Sequence, residues 1–178
     1  MNRTAAVELS LNFFITVLIS LVVLAASLTL LYKFVAQSEA TQQDLEDRTK
    51  AEIASLLDQG NQIVIPFSRQ TLPRGEEHVF GVGIVNVLER KEFKLAIELS
   101  SAESNGADIR PEVQLNRWAS FVNTPFTLEK NQRHTARVLI MVPTEAKSGT
   151  YIFNVKVFEN GPQPRIYDNI KKIVITVP

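Results

Sequence analysis

Cysteine is absent from the 178 residues, and histidine occurs only twice. The first absence excludes a disulfide framework, a thiol nucleophile and a thiolate metal site. A domain of this chain exported from the cell must therefore hold itself together by core packing alone. The two histidines, His78 and His134, stand in no His-x-His or His-Glu-x-x-His pairing, so metal-ligand spacing is missing, and the aspartates show no calcium-loop spacing either. Net charge is lacking as well. Nineteen Lys plus Arg balance nineteen Asp plus Glu, whereas a nucleic-acid binder shows a basic stripe or face. Gly81-Val82-Gly83 lacks the third glycine and the following helix of a phosphate loop, and predicts instead a bulge or a close contact with another backbone. Carboxylates are plentiful, but sequence alone does not pair them into an acid–base couple. With no set of residues meeting the requirements of a catalytic site, the sequence predicts a protein that is not an enzyme and has no cofactor and no metal.

What the chain does have is one long hydrophobic run. Residues 9–32 carry no charge and follow a lone acid, Glu8. A helix of that length rises about 1.5 Å per residue, or roughly 36 Å in all, enough to cross a hydrocarbon core about 30 Å thick. A buried helix of a soluble domain is rarely uncharged for so long. Small polar residues recur on one side of it: Asn12, Thr16 and Ser20 at every fourth position, with Ser27 returning to the same side. Such a stripe lets membrane helices approach and hydrogen-bond across the contact. Alternatively the Ser and Thr hydroxyls bond back to a carbonyl one turn earlier, an escape that Asn12 lacks. Basic residues flank both ends of the run (Arg3 before it; Lys33, Arg48 and Lys50 after it), so charge does not set its orientation.

Three readings of residues 1–36 stand side by side. One is a plain signal anchor. Another is a cleaved secretory signal ending near Ala25-Ala26-Ser27, although the apolar run is longer than the usual h-region and continues past that site. The third starts from Asn2-Arg3-Thr4-Ala5-Ala6-Val7-Glu8-Leu9, which resembles the class III signal of archaeal type IV pilin-like proteins. That resemblance implies processing between Arg3 and Thr4, with Glu8 fifth in the mature chain. It further implies that Glu8 pairs with the amino terminus of a neighbouring subunit during filament assembly. A carboxylate at the edge of hydrocarbon is costly unless paired or able to reach water, so headgroup-level solvation of Glu8 is the competing expectation.

Residues 37–60 turn polar and charged without a Gly or Pro until Gly60. Leu45, Thr49, Ile53, Leu56 and Leu57 fall near one helical face, and Glu46 and Lys50 form a favourable pair one turn apart. The pattern predicts a helical stalk capped by Gly60-Asn61. A long helix followed by a β domain resembles the layout of archaeal pilins, and a solvated or coiled-coil stalk reads the same way.

Beyond Gly60 the period changes to two. Phe93, Leu95, Ile97 and Leu99 alternate with polar or small residues, as do Tyr151, Phe153, Val155 and Val157, and Ile173, Ile175 and Val177. Further strands are expected at 62–67, 78–88, 112–118, 126–129 and 134–142, separated by turn signals at 73–75, 104–106, 143–149 and 160–162. The chain is therefore expected to be mainly β, with a membrane-spanning helix continuing into a stalk helix and then, over 61–178, a β-sandwich of seven or eight strands. The stretch Lys147-Ser148-Gly149-Thr150-Tyr151-Ile152-Phe153 resembles the corner before the penultimate strand of immunoglobulin-like domains. The resemblance makes Gly149 and Tyr151 structural residues. Trp118, with Phe121 and Phe126, forms either an exposed patch for a partner or glycan or, preferably, an aromatic cap over the end of the sandwich.

Together these readings predict a structural subunit of a type IV pilus-like filament. Glu8, Asn12, Thr16, Ser20 and Ser27 would pack its helix against copies of itself, and the β domain would stand outside the cytoplasm at the cell membrane or on a surface filament. The other expectation is a membrane-anchored accessory protein whose β-sandwich binds an envelope or surface protein or a glycan, resembling accessory proteins of archaeal motility machinery. No nucleic-acid partner is expected.

Overall fold

In a computed structural model of the chain, the described residues are 3–178 for the backbone, with side chains described for residues 13–31 and 47–178. Two compact units are present, Met1–Asp47 and Arg48–Pro178. Helix α1 spans Arg3–Asp58, 56 residues, because no glycine or proline interrupts it. It stops where expected. Gly60 takes φ +91°, its N–H donates to the Leu57 carbonyl at 3.0 Å, and Asn61 Nδ2 donates to the Leu56 carbonyl at 2.9 Å.

The second unit is a β-sandwich, and the described residues form eleven strands: β1 (Ile63–Val64), β2 (Arg69–Thr71), β3 (Glu77–Val85), β4 (Lys91–Ser104), β5 (Ala107–Asp108), β6 (Ala119–Phe121), β7 (Phe126–Leu128), β8 (Arg133–Met141), β9 (Gly149–Glu159), β10 (Arg165–Ile166) and β11 (Lys171–Val177). One sheet runs β1-β3-β8-β6. The other runs β2-β11-β9-β4-β5, with β10 on β9 and β7 on β4. The pairs are antiparallel except β2, which lies parallel to β11 with Arg69, Gln70 and Thr71 opposite Val174, Ile175 and Thr176. The strands expected around 78–88, 93–99, 126–129, 134–142, 151–157 and 173–177 are present as β3, β4, β7, β8, β9 and β11; the short β2, β5, β6 and β10 raise the number.

The alternating residues meet between the sheets. Phe80, Val82, Ile84, Val138 and Ile140 from one sheet pack against Phe93, Leu95, Tyr151, Phe153, Val155, Val157, Ile173 and Ile175 from the other, all at most 2 % exposed. At roughly 1.5–3 kcal/mol per fully buried large apolar side chain, this cluster supplies the stabilisation that disulfides would otherwise share. Strand β4 carries a bulge between Leu99 and Ser101, which keeps Ala102 and Ser104 facing inward beyond it.

Two local expectations are corrected. Residues 112–118 are not a strand but a 3-10 turn, Arg110–Glu112, followed by a one-turn helix α2, Leu115–Trp118. Pro111 cannot donate to a ladder, and the Asp108 carboxylate accepts the Arg110 N–H at 2.9 Å, which turns the chain. The apolar pair that matters there, Leu115 and Trp118, is three apart, the helical spacing. Residues 62–67 are not one strand either. The chain leaves the first sheet after Val64, turns at Pro66-Phe67 and enters the second as β2.

Candidate functional site

Three features stand out among the described residues: an apolar helical span, a shallow cleft, and the packing of the last turns of α1 on a strand of the sandwich. The first is the apolar span Phe13–Leu31, with a mean hydropathy of 2.7 and none of it buried. Phe13, Leu21 and Leu30 are each at least 65 % exposed. A helix of this length and composition can cross a membrane. On it Ser20 Oγ donates to the Thr16 carbonyl and Ser27 Oγ to the Val23 carbonyl, both at 2.8 Å. Thr29 does the same to Ala25 at 2.9 Å. These hydroxyls therefore spend their protons within the helix and keep only acceptor lone pairs for a neighbour. Arg3, Thr4, Glu8 and Asn12 lie outside the residues whose side chains are described, so the two polar groups most relevant to assembly are not placed.

The third feature is the seat of α1 on the sandwich. Ile53 and Leu57 are buried with Val64, and Leu56 and Val85 pack around them. They cover the outer face of β3, where Gly81 and Gly83 point away from the main core. A β-carbon on Gly81 would meet Ile53 Cδ1 at 3.0 Å and Thr49 Cγ2 at 3.2 Å, and one on Gly83 would overlap Ile53 Cγ2. Arg133 on β8 forms an ion pair with Asp58 at the end of the helix. The expected close approach at Gly81-Val82-Gly83 is thus made by helix side chains, and the apolar face of the expected stalk is in part a packing face.

The second is a shallow cleft of about 90 Å³ at one end of the sandwich, floored by Ile109, Val113, Trp118, Ala146 and Tyr151. Two exposed ion pairs rim it, Arg117–Glu145 at 2.5 Å and Lys147–Glu112 at 2.7 Å. Tyr151 Oη donates to the Lys147 carbonyl at 2.8 Å, pinning the corner, and burial raises the phenol above its ordinary pKa. Gly149 passes against the Glu103 carbonyl so closely that no β-carbon fits. Trp118 is 4 % exposed, with its ring 4.2 Å from that of Tyr151 and 6.0 Å from that of Phe153. It is a cap over the core rather than a partner patch, and Phe121 and Phe126 also pack against the core. The cleft has room for about three waters, well below the few hundred Å³ of a small-molecule site.

The histidines are structural in setting. His134 stacks on Phe126 with centroids 4.3 Å apart, and His78 meets Phe80 edge-on at 4.8 Å. Burial lowers both pKa values from 6.5. Asp108 is held below its ordinary range by the hydrogen bonds from Arg110, and Glu145 chiefly by its own backbone N–H. Among the described residues, no three His, Asp or Glu side chains gather as a metal site would require.

No protein-family model matches the chain, and no curated protein matches it. Among solved structures it is similar to a family 123 glycoside hydrolase from Clostridium perfringens, at 14 % identity and a TM-score of 0.43, over 61 % of this chain and 22 % of that one. It is similar to the sporulation control protein Spo0M from Bacillus subtilis, at 13 % identity and a TM-score of 0.42, over 64 % and 47 %. It is also similar to the class 5 fimbriae chaperone CfaA, at 12 % identity and a TM-score of 0.39, over 65 % and 56 %. The chain thus spans less than two thirds of each of these three, and at such identities the likeness says nothing of what it binds or does.

Proposed function

We propose that the chain is a structural subunit of a type IV pilus-like surface filament, of the archaeal pilin-like kind that its first residues resemble. Its apolar helix packs with copies of itself and its β-sandwich faces outward. The observation that supports this reading is the apolar span Phe13–Leu31, exposed all round and joined in one chain to a β-sandwich. So much bare apolar surface demands either lipid or other helices. Glu8 then sets the register of neighbouring subunits. The test is Glu8→Ala in the native membrane. Sedimentable polymer is lost while the protein still inserts; polymer that survives the change removes Glu8 from assembly.

One observation favours a second reading, a membrane-anchored accessory protein whose extracytoplasmic sandwich binds an envelope partner. The Ser20 and Ser27 hydroxyls bond within their own helix, which leaves less glue for helix association. In that case Glu8→Ala changes neither insertion nor binding, and no polymer forms from the unaltered chain.

A further inference from the structure

The chain is neutral as a whole, but its charge is unevenly spread. Residues 37–58 carry six acids, Glu39, Asp44, Glu46, Asp47, Glu52 and Asp58, against Arg48 and Lys50 alone. After Gly60 the sign reverses, with fifteen Lys and Arg to twelve Asp and Glu. Part of that basic excess is ordered on one surface, the outer face of the second sheet.

The register of four adjoining strands builds it. Phe93, Leu95, Phe153, Val155, Ile173 and Ile175 face the core, so the residues alternating with them face outward. Arg69 of β2 is opposite Val174 of β11, and Lys172 lies two residues before Val174. Lys172 is opposite Asn154 of β9, and Lys156 lies two residues beyond Asn154. Lys156 is opposite Ala96 of β4, and Lys94 lies two residues before Ala96. Each strand thus gives one basic residue, set one outward position further along than the last. With strands about 4.8 Å apart and alternate residues about 6.8 Å along, the diagonal runs roughly 25 Å. Arg69, Lys94 and Lys172 are exposed and make no ion pair among the described residues, whereas Lys156 is paired with Glu98 at 2.5 Å. The other acids of this face, Glu92, Glu103 and Asp108, keep to β4 and β5. Glu92 is already bonded to Asn160 and Asp108 to Arg110.

We infer that this diagonal seats the acidic stalk of a second copy of the chain. The last turns of the chain's own helix are engaged on the first sheet, on the opposite side of the sandwich, where Ile53 covers Gly81 and Gly83. Between copies, face against face and stalk against stalk oppose like charges, and only stalk against face brings unlike charges together. Exposed ion pairs are individually weak and screened by salt, so the diagonal sets register more than it holds. It acts where membrane helices already keep the copies at high effective concentration. The inference rests on the filament reading for that concentration and adds to it the outer contact.

The test begins with the unaltered full-length chain, half of it isotopically heavy, in phosphatidylcholine vesicles. A carbodiimide then joins carboxylates to amines that are in direct contact. Amide bonds from Lys94 or Lys172 to acids of residues 37–58, linking heavy to light chains, are expected. Their yield should fall about tenfold in about 1 M salt, where screening leaves a range of about 3 Å. Links within single chains only, or none from these lysines, overturn the inference. As a second variant, Arg69→Glu, Lys94→Glu, Lys172→Glu should keep the thermal midpoint and lose about tenfold in sedimentable polymer. Adding Glu39→Lys, Asp44→Lys and Glu46→Lys to that chain exchanges the two signs and should restore polymer. Polymer that survives the first change, or stays lost after the second, overturns the contact. The chain has no native cysteine, so single cysteines report cleanly. Protection of Lys172→Cys from maleimide that follows phosphatidylglycerol content and not protein density assigns the diagonal to an anionic membrane surface and overturns the contact. Ser20→Cys with a short bismaleimide reports helix packing separately. Helix cross-links without the amide bonds sink the charge contact and leave the filament reading standing. Amide bonds without helix cross-links support the contact and remove helix packing from the filament reading. Neither product overturns both.

Discussion

Ile53 lies over Gly83 so closely that the glycine has no room for a β-carbon. Two apolar contributions from distant parts of the sequence, a helix ridge and a bare strand, are fitted to one another there.

Gly83→Val should break that fit. Overpacking at such a site costs about 1–3 kcal/mol, so a drop in the urea midpoint is expected together with faster proteolysis near Lys50 as the helix end lifts. Unaltered cleavage in a destabilised variant would place the cost elsewhere in the sheet.

Tyr151→Phe removes the hydroxyl bonded to the Lys147 carbonyl and leaves the ring packed on Trp118. The expected loss is about 0.5–1.5 kcal/mol, measured by chemical denaturation. Gly149→Ala should cost more than Tyr151→Phe, since its methyl would be driven into backbone and not a movable side chain.

Stability should fall as pH drops below neutrality. Burial lowers the pKa values of His78 and His134 in the folded state, so between those values and 6.5 the unfolded chain binds more protons than the folded one. Stability then increases with pH through that window and levels off above about 6.5. Asp108 and Glu145, whose carboxyls are depressed, add a separate loss only at more acidic pH. Urea midpoints between pH 7.5 and 5.5 should converge with a flat line in the His78→Gln, His134→Gln double variant; a slope that persists there assigns the effect to other groups.

Mass spectrometry of the protein from its native membrane should show a chain beginning at Thr4, as pilin-type processing requires. A chain beginning at Met1 would leave Glu8 as an interfacial residue and favour the anchored reading.

Much of this fold was legible because local periodicity carries it. The apolar run, the two-residue alternation of β4, β9 and β11 and the Gly60-Asn61 stop all depend on neighbours in sequence. The helix seat was not legible, although its signals were visible: two glycines at alternate positions of β3, and Ile53 and Leu57 in an otherwise charged segment. Which distant face receives which ridge is settled by packing and leaves no local period. At 112–118 a strand is expected from the sequence, and Pro111 with the Asp108–Arg110 pair turns the chain instead. The left-handed backbone of Phe67, φ +53°, is hidden by its residue type, since such a turn is sought at glycine or asparagine.

The parallel pairing of β2 with β11 has a mechanical side. Tension applied between the residues entering β2 and those leaving β11 pulls the two strands lengthwise past each other. The register of Arg69, Gln70 and Thr71 on Val174, Ile175 and Thr176 is then sheared as a set, and its hydrogen bonds must yield together instead of opening one by one like a zip. A pull directed along those two strands therefore meets the pairing in shear, the geometry in which its bonds share the load.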